Sequence, residues 1–231
     1  MLRWGRFCTD IDWEQVTASD TCESVCTAGV DAGYSATTAS ATTVSGLGTV
    51  QCAAGYTGTA SVVCSGGTFT FSSCVACAAD TFKVFSGTAT CASCPAESST
   101  SAATGSPSST ACLCNAGYTG TISTPSETCT ACAAAQYKGA VGTAACIACT
   151  AGSYTDTLAS TAGTSCALCN AGTYSTVSTE ACIDCVAGKY ATGSGNSAET
   201  DCIACGAGKY STTVASIDAN DWCELRPIFL T

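Results

Sequence analysis

Twenty-two cysteines stand in 231 residues, and most fall in closely spaced pairs. The run reads Cys74/Cys77, Cys91/Cys94, Cys112/Cys114, Cys129/Cys132, Cys146/Cys149, Cys166/Cys169, Cys182/Cys185 and Cys202/Cys205, closed by Cys223. Three chemistries use such pairs: thiolate ligation of zinc, dithiol redox exchange and structural disulfides. Against zinc stand a chain without histidine, an even cysteine total and irregular distances between pairs. Redox exchange of the thioredoxin type needs a βαβ setting around the pair, and none surrounds these. Nucleophilic catalysis by Ser or Cys lacks its usual base without histidine. Asp184 and Asp201 stand singly in loops rather than as an acid pair in a pocket. The pairs therefore read as disulfide half-cystines, with no cofactor and no catalytic residue, and an enzyme is not expected.

Composition says what the bridges must do. Leu, Ile, Val and Phe make up about a seventh of the residues, below what a chain needs to bury a core unaided. The positive mean hydropathy of +0.29 comes chiefly from Ala and Cys. Stability must come from cross-links, and these persist in an oxidising setting, so an extracellular or cell-surface location is expected. The start, Met1 to Phe7, has no apolar h-region; we read this as mature numbering or an incomplete gene model, not as a cytosolic address. No run reaches the length that spans a bilayer. A net charge of −10 with 7 scattered basic residues speaks against nucleic acid and anionic membranes. Ser and Thr exceed a quarter of the chain, which leaves open O-linked glycans or merely soluble loops; Asn115, Asn170, Asn196 and Asn220 all lack the hydroxyl of an N-glycan sequon.

Cysteine spacing divides the chain into an acidic N-terminal segment (1–25), a segment of widely spaced cysteines (26–74), the paired array (75–223) and an apolar tail (224–231). The second segment carries Cys52, Gly55-Tyr56, Gly58, Cys64, Gly67, Phe69 and Cys74 in an order that resembles the later half of a sushi (complement-control) module. That resemblance implies a small β module with Cys26–Cys64 and Cys52–Cys74 bridges, and strands about Ser61–Cys64 and Thr68–Phe71. The array repeats Cys-x-x-Cys-x-Ala-Gly-x-Tyr at Cys166 to Tyr174, Cys182 to Tyr190 and Cys202 to Tyr210. It resembles the ephrin-receptor-like cysteine-rich repeats, akin to growth-factor-receptor modules. Phe82, Tyr137 and Tyr154 take the aromatic place in other units, and Cys112-Leu-Cys114-Asn-Ala-Gly-Tyr118 is a shortened version. The resemblance suggests a surface protein of a unicellular eukaryote.

In each unit the glycine two residues before the aromatic permits a tight turn after the cysteine pair. The aromatic is nearly the one large apolar group per repeat, expected to pack on a disulfide and on the next unit. If the second Cys of each pair bonds the first Cys of the next, the bridges are Cys77–Cys91, Cys94–Cys112, Cys114–Cys129, Cys132–Cys146, Cys149–Cys166, Cys169–Cys182, Cys185–Cys202 and Cys205–Cys223. With Cys8–Cys22 and the two sushi-type pairs, every cysteine is used, although spacing leaves internally bridged pairs open as an alternative. The expected fold is small, disulfide-rich and mainly β and loop: an elongated rod or solenoid of short two-stranded repeats, each touching its neighbours.

Asp10, Asp12 and Glu14, with Asp20 and Glu23, form a weak calcium candidate, against which stands a plain solvated acidic loop. Bulky apolar residues gather at the ends, Trp4, Phe7 and Trp13 against Ile228, Phe229 and Leu230; they are either frayed ends or a head-to-tail contact between copies. A heterologous contact of that kind builds open filaments. The expected function is that of a structural extracellular protein, a self-assembling subunit of a fibre, flagellar hair or surface coat. The alternative is a cell-surface binding or adhesion module for a protein or glycan.

Overall fold

The computed structural model describes residues 2–3, 6–8, 22–176, 181–219 and 223–225. Among the described residues the elements are short β-strands joined by turns, with three single-turn 3-10 helices. The chain forms two compact units, one of residues 1–113 with 122–127, the other of residues 114–121 with 128–231.

In the first unit, strand Arg6–Cys8 pairs with Leu2–Arg3 on one side and Cys22–Ser24 on the other, a register that sets Cys8 opposite Cys22. The Cys8 and Cys22 side chains, and with them the expected bridge, lie outside the described residues. Tyr34–Ala36 pairs with Val50–Cys52, and a longer hairpin joins Tyr56–Ser65 to Thr68–Ala76 around Gly66-Gly67. Both turn glycines take positive φ, 60° and 81°, as a two-residue hairpin turn that follows the strand twist requires. Alternation along Tyr56–Ser65 is visible in its burial, and the inward side chains supply a small apolar core. Leu47, Cys26 and Phe69 are buried there, with Val30, Val44, Val50, Val62 and Phe71 against them. The Tyr34 and Phe71 rings lie 5.1 Å apart, within the range of favourable aromatic contact.

The array looks different. Hairpins of two residues per strand follow one another: Thr81–Phe82 with Ala92–Ser93, Gln136–Tyr137 with Ile147–Ala148, Ser153–Tyr154 with Ala167–Leu168, Thr173–Tyr174 with Ile183–Asp184, and Lys189–Tyr190 with Ile203–Ala204. In each, the strand carrying the aromatic pairs with the two residues between the cysteines of the next pair. Strands this short bury no extended face, and isolated hairpins are marginal in water. The disulfides and the neighbouring loops hold them.

Candidate functional site: the interlocked disulfide loops

Ten disulfides join the described cysteines. Cys26 bonds Cys64 and Cys52 bonds Cys74. From Cys77 onward, the second Cys of each pair bonds the first of the next, through Cys205–Cys223, closing loops of 13 to 18 residues' separation. The partners are unequal in burial: Cys77, Cys132, Cys149, Cys169 and Cys185, each the second of its pair, are buried, while Cys91, Cys129, Cys146 and Cys182 are half-buried. A sulfur in a disulfide is no thiolate, so these cysteines offer no ligand to zinc. Among the described residues, no group of three His, Cys, Asp or Glu is placed to hold a metal ion. Glu23 is engaged by Ser45, whose N–H and hydroxyl both donate to its carboxylate; Asp10, Asp12, Glu14 and Asp20 lie outside the described residues.

Within each compact unit, successive loops are hydrogen-bonded by a recurring set of backbone contacts. The N–H of the turn residue (Gly117, Ala135, Gly152, Gly172) donates to the carbonyl of the residue after the next aromatic position: Lys138, Thr155, Ser175 and Ala191 respectively. The carbonyl of the second Cys (Cys77, Cys132, Cys169, Cys185) accepts an N–H from the following loop, at Gly105, Ala159, Gly195 and Ala215. Single parallel bridges join Phe82 to Ser106, Tyr137 to Ser160, Tyr174 to Asn196 and Tyr190 to Ser216. Contact also reaches two loops along. A Cβ on Gly152 would lie 2.3 Å from the Gly195 carbonyl oxygen, and one on Gly172 2.2 Å from that of Ala215. Only glycine lets two backbones approach so closely.

The repeat aromatics take the place this ladder leaves them. Phe82 is buried, and Tyr137, Tyr154, Tyr174, Tyr190 and Tyr210 are half-buried. Tyr174 packs on Cys185, Ala191 and Cys202, the next loop's bridge and wall. Tyr118 departs from the series. It pairs with Ala131, whereas Tyr137 pairs with Ile147, so Thr119 occupies the aromatic's register and Tyr118 stands one residue earlier. One residue along a strand is the opposite face, a consequence of the missing residue between Gly117 and Tyr118. The terminal candidates Trp4, Trp13, Ile228, Phe229 and Leu230, and the Phe7 side chain, lie outside the described residues.

The position after the aromatic is what sequence reasoning missed. Lys83, Lys138, Thr155, Ser175, Ala191 and Ser211 are all buried there, and the clue was a residue that is always small or lysine. Lys138 runs its stem inward and its ammonium donates to the carbonyls of Tyr118 (2.7 Å), Gly142 (2.6 Å) and Cys114 (3.1 Å). Lys83 does the same to Tyr56 (2.6 Å) and Gly87 (2.5 Å). Each lysine thus ties two successive loops. Burial pushes both ammoniums below the ordinary value of 10.5. The folded state therefore releases this proton at lower pH than the unfolded chain does. The desolvation penalty is full below the folded pKa and is relieved as pH rises towards 10.5. Replacing Lys138 by Met keeps the stem but orphans the carbonyls. Lys138→Met should destabilise the oxidised protein by about 2 kcal/mol, the order expected for stranded buried acceptors, and should speed amide exchange at Gly117 and Gly142. Unchanged exchange at both amides would count against the tie.

Residues 119–166 and 172–221 each match the family described as "Tyrosine-protein kinase ephrin type A/B receptor-like". These two stretches, together less than half of the chain, are similar to that family's cysteine-rich repeat and lie wholly within the array. No curated protein matches the chain. With the disulfide ladder, the match establishes tandem cysteine-rich repeats of an extracellular kind.

Proposed function

We propose that this protein is a structural subunit of an extracellular or cell-surface assembly, a fibre, hair or coat, in which the repeat array acts as a stiff, protease-resistant element. The observation that carries this reading is the interlocking of successive loops. Within each compact unit, each loop is closed by a disulfide, hydrogen-bonded to the next, and in several places touching the one beyond it. Nearest-neighbour stacking of that kind resists bending within the unit. Disulfides persist in oxidising compartments, which supports an extracellular or cell-surface location. The Cys26–Cys64 and Cys52–Cys74 bridges and the long hairpin support a sushi-like module ahead of the array.

Assembly is expected to run head to tail, the apolar tail of one copy (Ile228, Phe229, Leu230) against the apolar head of another (Trp4, Phe7, Trp13), with O-linked glycans on the exposed hydroxyl-rich loops. Electron microscopy of the oxidised protein should show filaments, and deletion of residues 225–231 should leave single particles. Filaments that survive the deletion refute the tail's role, and monodisperse particles from the intact chain refute the fibre.

A further inference from the structure

One loop of the array departs from its neighbours in a concerted way. At the two positions between paired cysteines, neighbouring repeats place Ile147-Ala148, Ile183-Asp184 and Ile203-Ala204, but this loop has Ala167-Leu168. Two residues after the aromatic, the other units carry Val84, Gly139, Thr176, Thr192 and Thr212, whereas Tyr154 is followed by Thr155 and then Asp156. The substitutions converge. Tyr154, Asp156, Ser165, Leu168 and Asn170 line one open groove of about 390 Å³, a size that holds a small ligand.

The lining mixes apolar and polar groups, and several of the polar ones keep open hydrogen-bonding capacity. The half-buried Tyr154 pairs with the small Ala167, where Tyr137, Tyr174 and Tyr190 pair with isoleucine, so no bulky side chain stands across from this ring. Leu168 pairs with Ser153 and lies on the other face of the hairpin. The Asp156 carboxylate accepts one long contact from the Thr157 hydroxyl, at 3.5 Å, so most of its lone pairs are open. The side chains of Ser165 and Asn170 have no partner among the described residues, and Thr173 donates only to the Asn170 backbone carbonyl. Among the described residues, no Lys or Arg lines the groove.

We propose that this groove binds one neutral sugar residue of a glycan. A pyranose presents a C–H face and a rim of hydroxyls, each both donor and acceptor. The Tyr154 ring, with only Ala167 paired across from it, offers a flat apolar seat for the face. Asp156 accepts from two neighbouring hydroxyls through charge-assisted bonds, and the Asn170 carboxamide both donates and accepts. An anionic sugar would meet an unpaired carboxylate with no cation near it. The proposal stands independently of filament formation, since the groove lies within one pair of loops.

The test is amide NMR on the full oxidised chain, titrated separately with methyl glucoside, methyl mannoside, methyl galactoside, N-acetylglucosamine, glucuronate and glucosamine. At least one neutral sugar should shift the amides of residues 154–157 and 167–170 saturably, in the millimolar range. Asp156→Ala, and Ala167→Ile, which restores the residue of the neighbouring repeats across from the aromatic, should each weaken binding about tenfold or more, with the remaining spectrum unchanged. No saturable shift with any neutral sugar overturns the proposal. So does binding confined to glucosamine and abolished by Asp156→Asn, which is plain attraction of an amine. Equal affinity in the Ala167→Ile variant removes the apolar seat and with it the sugar reading.

Discussion

Reduction and alkylation of the cysteines should convert the array from a folded ladder into a disordered chain at ambient temperature, without added denaturant. The reason is the scale of what the bridges contribute against what the side chains bury. In the chain-entropy account, closing a 15-residue loop stabilises by roughly 3 kcal/mol, and eight of the bridges close loops of 13 to 18 residues' separation. Together they exceed the roughly 5–15 kcal/mol by which ordinary domains are stable. Little remains to replace them. In the array the buried hydrophobic residues are mostly the cysteines themselves with Phe82, Ile122, Ala135 and Ala191. The exposed ion pair Lys189–Glu199 is worth at most about 1 kcal/mol. Far-UV circular dichroism and amide exchange on the alkylated protein give the measurement. Native-like protection at Cys132, Cys169 and Cys185 amides after alkylation would show that backbone interlocking suffices, and the scaffold reading of the cysteines would fail.

Much of the repeat was legible because one residue type marks both covalent and spatial periodicity. The Gly-x-aromatic marks the first strand of each hairpin, and the residues between the next paired cysteines mark its second. What lay hidden depends on conformation rather than on residue type. Ala159 and Ala215 take left-handed φ, 54° and 55°, and present their carbonyls to the loop two places back; nothing about an alanine announces that. The 3-10 turns at Ser109–Ala111, Gly163–Ser165 and Glu199–Asp201 are too short to have a periodicity. They shape the ends of the longer loops, just before Cys112, Cys166 and Cys202. Lys138 read as one of a few scattered charges, because a lone lysine in a polar loop is ordinarily solvated. In the segment of widely spaced cysteines, Leu47 between two glycines showed no alternation, yet it is fully buried and centres the core. The groove beside Leu168 was likewise invisible while the repeats were read for what they share, since it comes from where one loop differs.

Gly152→Ala and Gly188→Ala should separate widely in effect, although the two glycines hold the same place in the repeat and nearly the same backbone, φ 81° and 84°. The left-handed conformation alone is not the obstacle. Asp80, Glu97 and Ala135 hold side chains at φ 62°, 58° and 61°, so a Cβ there costs about 1 kcal/mol of strain. What differs is the neighbour. At Gly152 the new Cβ would meet the Gly195 carbonyl oxygen at 2.3 Å, with the Asn196 oxygen at 3.3 Å, whereas at Gly188 it meets nothing within 4 Å among the described residues. Backbone cannot rotate aside as a side-chain tip can. Relief would require the loop closed by Cys185–Cys202 to move off the one closed by Cys149–Cys166, stretching the bonds from Cys169 N–H to the Gly152 carbonyl and from Gly195 N–H to the Cys169 carbonyl. Overpacking adds about 1–3 kcal/mol, so Gly152→Ala should lose about 2–4 kcal/mol and Gly188→Ala about 1 kcal/mol. Thermal melting of the oxidised variants ranks them, and amide exchange at Cys169 and Gly195 locates the damage. Similar melting temperatures for the two variants would mean that the loops are not held in contact two places along, and that the array's stiffness rests on its disulfides alone.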